Sequence, residues 1–301
     1  MAARMLRLKI TVALILVFSL AIVIMVPPYL AAAMTSEVGS GGTPTSVYDS
    51  PAVPQSVAED AYRVATDLFG DHQEGCYEFT KQLLITYSAA KDKDFVIFFN
   101  SGGVGWSLLE TSVGWYSIFD GITQELADSG YTSLSLDYLR TPRSWDGFFD
   151  ESMNMISLYP TKTKELATRV EFLTDYIPNI RVILIGESNG TVICDRVLNR
   201  LKDNPRVYSI QTGPPFWYKS TMLERRLVLK SGGIIPDSFS DGDFFTMIGA
   251  TLESLLGFPR QADESGTIMR FVSAPGHDYW WQYPGVSPEI TKFLHDNFGV
   301  K

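Results

Sequence analysis

A serine flanked by glycines, at the point where an aliphatic run becomes a helix, is the residue best placed for covalent chemistry. It lies in Gly186-Glu187-Ser188-Asn189-Gly190, entered from Val182-Ile183-Leu184-Ile185 and left through an amphipathic pattern reaching Leu198. A serine hydroxyl is a weak nucleophile unless held clear of its strand, near a base and near donors for an oxyanion. Gly186 and Gly190 fit that requirement, because a Cβ at either would collide with backbone in so sharp a turn. Glu187 reads as a solvated charge. Asn189-Gly190-Thr191 matches a glycosylation acceptor, but burial in the turn should leave it unmodified.

A base must lie within reach of that hydroxyl. The chain has three histidines, at 72, 277 and 295, and only His277 follows an expected strand, Thr267–Ser273, through the turn Pro275-Gly276. His277 is therefore the candidate base. For an oxyanion, the backbone amide of Asn189 is one candidate donor, at a helix start where the dipole also helps. The second is Gly103, in the glycine-rich loop after Phe95–Phe99, with Ser101 and Gly102 as neighbours lining the substrate.

The acid that would orient His277 is less determined. The strand Arg226–Lys230 is followed by Ser231-Gly232-Gly233-Ile234-Ile235-Pro236, so Asp237 is the first candidate. Asp241 and Asp243 remain open, although both also suit simple capping of a helix N-terminus. Asp137 ends an earlier strand and reads as structural. Asp278 adjoins the histidine in sequence, which points its side chain elsewhere.

These groups need a scaffold. Strands at Phe95–Phe99, Tyr131–Leu136, Arg181–Ile185, Arg206–Gln211, Arg226–Lys230 and Thr267–Ser273 alternate with helical patterns such as Thr161–Tyr176, Asp243–Leu256 and Pro288–Phe298. That alternation predicts an α/β architecture: a mostly parallel central sheet with helices on both faces. Sites on such sheets lie at the carboxyl ends of the strands. About fifteen residues between the fourth and fifth strands leave no room for a large lid domain. The excursion at 140–160, with Trp145, Phe148, Phe149, Met153 and Met155, is a candidate cover. Phe216, Trp217, Trp280 and Trp281 are candidates for an apolar substrate pocket, although core packing explains several of them equally well.

Together the motifs resemble the α/β-hydrolase superfamily. The resemblance spans roughly residues 93–299 and rests on Gly-Glu-Ser-Asn-Gly at 186–190, Ser-Gly-Gly-Val-Gly at 101–105 and Pro-Gly-His at 275–277, in the order nucleophile, acid, histidine. It implies Ser188 as nucleophile, His277 as base, Asp237 as acid, and the amides of Gly103 and Asn189 as oxyanion hole. The implied activity is cleavage of a carboxylic ester through an acyl-enzyme, with no cofactor. Two departures stand out: Ser101 where many members have His, and the extra Gly-Gly-Ile-Ile-Pro ahead of the acid. An acyltransferase, or a catalytically silent binding protein on the same scaffold, are the alternatives.

The first 34 residues are of another kind. Arg4, Arg7 and Lys9 precede Ile10–Val26, seventeen residues interrupted only by Thr11 and Ser19. That length exceeds a usual signal core and approaches the roughly 20 residues of a membrane span. Residues 1–34 are thus expected to be an uncleaved signal anchor, a single-pass transmembrane helix with its basic end cytoplasmic and the domain extracytoplasmic. Cleavage after Ala31-Ala32-Ala33, giving a secreted protein, is the alternative. Residues 35–55, rich in Gly, Ser, Thr and Pro, read as a flexible linker, and 56–301 as the catalytic-type domain.

Composition narrows the partners. Formal net charge is −9, with no basic stripe, so nucleic acid is not an expected partner. Two cysteines, Cys76 and Cys194, make no disulfide framework, and Cys194 suits a buried apolar position. Scattered histidines argue against a metal site.

Overall fold

Alternate side chains of each central strand enter opposite apolar layers, and this period of two builds the molecule. Val96, Phe98, Val182, Leu184 and Val207 belong to one core, whereas Phe95, Ile97, Phe99, Ile183, Ile185 and Ile210 belong to the other. A strand that is apolar on both faces can only be buried on both faces, which is the condition of a parallel sheet under helices. The computed structural model describes residues 53–300 except 104, 106, 142–144, 221, 258–265 and 269–271, and not the side chains of 113, 145, 146, 148 and 149. The expected anchor and nearly all of the linker lie outside the described residues.

Among the described residues the main sheet has five strands: β1 (Phe95–Asn100), β2 (Ser133–Asp137), β3 (Arg181–Glu187), β4 (Val207–Thr212) and β5 (Arg226–Leu229). Their order is β2-β1-β3-β4-β5, and every pairing is parallel. The chain switches direction across the sheet between β1 and β3, and ligands bind at such switch points.

Two helices, α1 (Gln55–Phe69) and α2 (Gln73–Ala90), precede the sheet. The remaining helices are α3 (Val113–Asp128), α4 (Trp145–Ile156), α5 (Pro160–Tyr176), α6 (Asn189–Arg200), the short α7 (Ser238–Asp241), α8 (Phe244–Leu255) and α9 (Ser287–Phe298). Helices α5 and α6 cover one face of the sheet, and α3 and α9 the other. Outside α5 lies the α1–α2 pair, joined through Val57, Phe79, Leu83 and Phe172. His72 caps α2 by accepting the Gly75 N–H, and His295 is exposed on α9.

The expected strand Thr267–Ser273 is not a sixth member of the sheet. Thr267–Ile268 (β6) and Val272–Ser273 (β7) pair antiparallel with each other. Thr267 is exposed and Ile268 and Val272 only half-buried, so the segment lacks the two-sided burial that a central parallel strand requires. Cys76 and Cys194 are both buried and free. No helix among the described residues is long and apolar enough to cross a membrane.

Leu184 is fully buried in the middle of β3, inside the core shared with α5 and α6. Leu184→Ala is expected to lower stability by about 2–5 kcal/mol, read from urea unfolding followed by far-ultraviolet circular dichroism.

Candidate active site

Ser188 sits between β3 and α6 with φ 48° and ψ −119°, a region that side-chain-bearing residues rarely occupy. Close packing holds it there. A Cβ on Gly190 would lie 2.2 Å from the Asn100 carbonyl oxygen, and one on Gly186 would lie 2.8 Å from Thr191 Cα. Below, the Ser188 N–H donates to Thr212 O at 3.0 Å, and Thr191 Oγ1 donates to Ser188 O at 2.6 Å. The turn therefore bends sharply because glycines let β1 and α6 press against it.

The loop after β7 brings His277 to the same sheet edge. Gly213, just past β4, has φ +59° and would place a Cβ only 2.5 Å from His277 Cε1, so the ring occupies space that glycine vacates. His277 Nδ1 lies 2.8 Å from Asp237 Oδ2. Among the hydrogen bonds of the described residues none joins Ser188 Oγ to the imidazole. Such contacts are commonly long before substrate binds.

Asp237 is fully buried, and donors surround its carboxylate. Oδ1 accepts the N–H groups of Phe239 at 2.9 Å and Ser240 at 3.0 Å. Oδ2 accepts from Ser240 Oγ at 2.8 Å and Tyr279 Oη at 2.7 Å, besides facing the imidazole. Burial alone would raise its pKa, but the imidazole, the Ser240 N–H and the Tyr279 hydroxyl outweigh that and hold it below the ordinary range. Asp241 lies at the end of α7, and Asp243 caps α8 through Thr246, so neither meets the histidine.

The extra Gly-Gly-Ile-Ile-Pro is accommodated by a closed loop. Ser231 and Pro236 form an isolated antiparallel bridge, and Ser231 Oγ donates to Ile235 O at 3.0 Å. The bulge thus returns the chain to the sheet edge in time for Asp237. There Gly276, at φ +79°, packs so tightly that a Cβ would lie 2.2 Å from Pro236 O.

The glycine-rich loop approaches the serine directly: a Cβ on Gly102 would be 3.1 Å from Ser188 Cβ. Gly103 has φ +54°, and its carbonyl accepts from Asn189 Nδ2 at 3.3 Å, which places the two candidate oxyanion residues side by side. Asn189 is the first residue of α6, where backbone N–H groups have no partner within the helix. Ser101 is fully buried, with its hydroxyl lacking a hydrogen-bond partner and its carbonyl turned to Arg140. Trp217 stacks on Phe239 at 5.4 Å, and Phe239 on His277 at 4.8 Å. Trp280 donates to Asp278 Oδ2 at 2.9 Å, while Trp281 packs on α3 at Gly121.

Two residues at this edge, Arg140 and Glu151, gave no sequence signal. Arg140 is completely buried and pairs with Glu151 at 2.7 Å; its guanidinium also donates to Ser101 O at 2.6 Å and Gly103 O at 3.2 Å. One fork therefore ties the glycine loop to α4, where Thr141 Oγ1 also reaches Glu151 at 2.8 Å. Arg140 and Glu151 are far apart in pattern and belong to no repeat, so spacing could not have exposed them. Glu187 is not the freely solvated charge its position suggested. It is half-buried and accepts the Gly102 N–H at 3.1 Å. Burial raises its pKa, against the opposing pull of that N–H and of His277.

A cavity of about 340 Å³ opens beside the imidazole, lined by Glu187, Thr212, His277, Asp278, Ser112 and Trp115 among others. Two carboxylates on its wall disfavour anions. Among the described residues no group of three or more His, Cys, Asp or Glu could hold a metal ion.

The five-stranded parallel order with helices on both faces makes this an α/β fold, with the strained serine at the carboxyl end of its central strand. No family model and no curated protein matches the chain. Among solved structures it is similar to a Trichoderma reesei cutinase in complex with a phosphonate inhibitor, at 15% identity and a TM-score of 0.35, over 67% of this chain and 80% of that one.

Because the folded-state pKa of Glu187 is raised, its ionisation at neutral pH costs stability, and that cost vanishes below the unfolded value of about 4.3. Glu187→Gln is therefore expected to have a higher Tm than the parent at pH 7. The difference should shrink as pH falls through 4, and equal melting curves at both pH values would refute the assignment. Glu151→Gln leaves the buried Arg140 charge uncompensated, with an expected loss of about 3–5 kcal/mol in urea unfolding.

Proposed function

We infer that this chain is a serine hydrolase that cleaves a carboxylic ester through an acyl-enzyme. One observation carries the reading: a serine held at positive φ after the central strand shares an edge with an imidazole whose other nitrogen meets a buried, fully hydrogen-bonded carboxylate. Buried carboxylates with this many donors stay ionised, and an ionised partner holds the imidazole with its proton on Nδ1.

The chemistry follows from that tautomer. His277 Nε2 is then free to take the Ser188 hydroxyl proton as Oγ attacks the carbonyl carbon. The carbonyl π electrons move to oxygen, and the backbone N–H groups of Gly103 and Asn189 meet the developing charge. Collapse breaks the bond to the alcohol oxygen, which leaves with the proton from Nε2. Water, deprotonated by the same nitrogen, attacks the acyl-serine, and the acid departs as Ser188 regains its proton. Asp237 stabilises the imidazolium in both halves without itself being protonated.

Arg140 supports this from behind. By holding the carbonyls of Ser101 and Gly103, it clamps the loop on both sides of Gly102, and so steadies the segment that carries the Gly103 N–H. Negative charge on Glu187 and Asp278 favours neutral or cationic esters over anionic ones. The apolar, basic-flanked N-terminus further supports a domain tethered outside the cytoplasm on a single-pass anchor.

The test is labelling by a fluorophosphonate probe together with turnover of p-nitrophenyl esters. Labelling is expected in the parent and lost in Ser188→Ala. Asp237→Asn should cut kcat by roughly 10⁴-fold, while Asp243→Asn should leave it close to parental. Equal labelling of Ser188→Ala, or an unimpaired Asp237→Asn, overturns the mechanism.

A further inference from the structure

Helix α8 exposes an apolar stripe that no described residue covers. Phe245, Ile248, Leu252 and Leu255, with Leu256 just beyond the helix, are between 43% and 82% exposed. At 100° per residue these positions fall within a single arc, so they form one face. The opposite face is satisfied: Met247 and Ala250 are buried, with Met247 in a small core with Phe239 and Ala274. A contiguous apolar face on a soluble domain marks a binding surface.

Its position links it to the site. Phe244, at the start of α8, packs on Phe216 at 4.8 Å, Phe216 on Phe239 at 6.2 Å, and Phe239 on His277 at 4.8 Å. Trp217, itself 42% exposed, joins the same cluster. Aromatic rings thus run without a break from the imidazole to the foot of the exposed stripe. Whatever covers α8 lies against the rim of the site.

We propose that α8 seats the domain on a lipid surface, and that the ester it cleaves is presented from that surface. The chain itself points to lipid. Residues 10–26 are an apolar run of membrane-spanning character, joined to the domain by a linker at 35–55. A flexible linker of that length spans about 25 Å, comparable with the domain's own radius, so a lipid face is always within reach. Charge then selects the lipid. Net charge is −9, Asp241 and Asp243 precede α8 and Glu253 lies on it, so the surface it fits is zwitterionic rather than anionic. Exposed Phe and Leu on one face of a short helix are the groups that enter the headgroup–acyl boundary. The substrate class rests on the hydrolase reading; the docking does not.

The experiment uses the full-length protein in phosphatidylcholine vesicles. Cys76 and Cys194 are buried, so an environment-sensitive fluorophore can be directed to an introduced cysteine. The label is placed at Ile248→Cys on α8 or at Ile85→Cys, an equally apolar and more exposed site on α2. The expected result is a blue shift and several-fold stronger quenching by doxyl-labelled lipid at 248 than at 85. Equal quenching at the two positions overturns the proposal. So does a blue shift at 248 without lipid quenching, the signature of a second copy or of the chain's own N-terminal run covering α8. In parallel, the double variant Ile248→Asp/Leu252→Asp should lose several-fold in turnover of a long-chain ester carried in the vesicles, while keeping turnover of soluble p-nitrophenyl acetate. Equal loss on both esters overturns the surface-presented substrate. If the parent hydrolyses neither ester, the hydrolase reading fails, and the fluorescence result still decides the docking.

Discussion

Asp237 Oδ2 receives the Ser240 hydroxyl, the Tyr279 hydroxyl and the His277 imidazole, while Oδ1 takes two backbone amides. An ionised carboxylate with no water around it survives only with such a set of donors. The loops carrying them come from distant parts of the chain, after β5 and after β7. Their meeting is enforced by backbone contact: Gly276 lies against Pro236 and Asp237, and Gly213 clears space for the ring. The geometry at Ser188 depends on this in turn, because its N–H hangs from Thr212, one residue before Gly213.

Around that pair the sheet supplies rigidity. Strands β1 and β3 are apolar on both sides and sit at the centre of the sheet. A strained serine conformation, costing about 1–3 kcal/mol, is tolerable only where the flanking strand and helix cannot shift. Gly186 and Gly190 let the backbone of β1 and α6 close around the bend, and the strain is stored there.

Much of this was legible in the residues. The strand–serine–helix pattern at 182–198 defined the elbow because a change of period from two to 3.6 is a local signal. The glycines at 102, 103 and 105 marked a close approach for the same reason. Other features were hidden because their cause is not local. Thr267–Ser273 looks like one strand by composition, yet its two ends, Thr267–Ile268 and Val272–Ser273, pair antiparallel with each other. Asp237 stood beside Asp241 and Asp243 in the sequence, and only the bridge between Ser231 and Pro236 shows which one reaches the imidazole. Arg140 and Tyr279 meet partners dozens of residues away, Glu151 meets Arg140 across eleven, and no spacing rule connects them. The exposed face of α8 was invisible too, since an apolar helix reads the same whether or not something covers it.

The Arg140 fork divides labour within the excursion after β2. All three of its nitrogens are committed, to two carbonyls and one carboxylate. Neighbouring outward positions on α4, such as Met153, carry no such obligation. Descendants of this chain can therefore diversify the rim that greets incoming molecules while the donor groups behind it keep their aim. New selectivity would then arise without retuning the reaction itself.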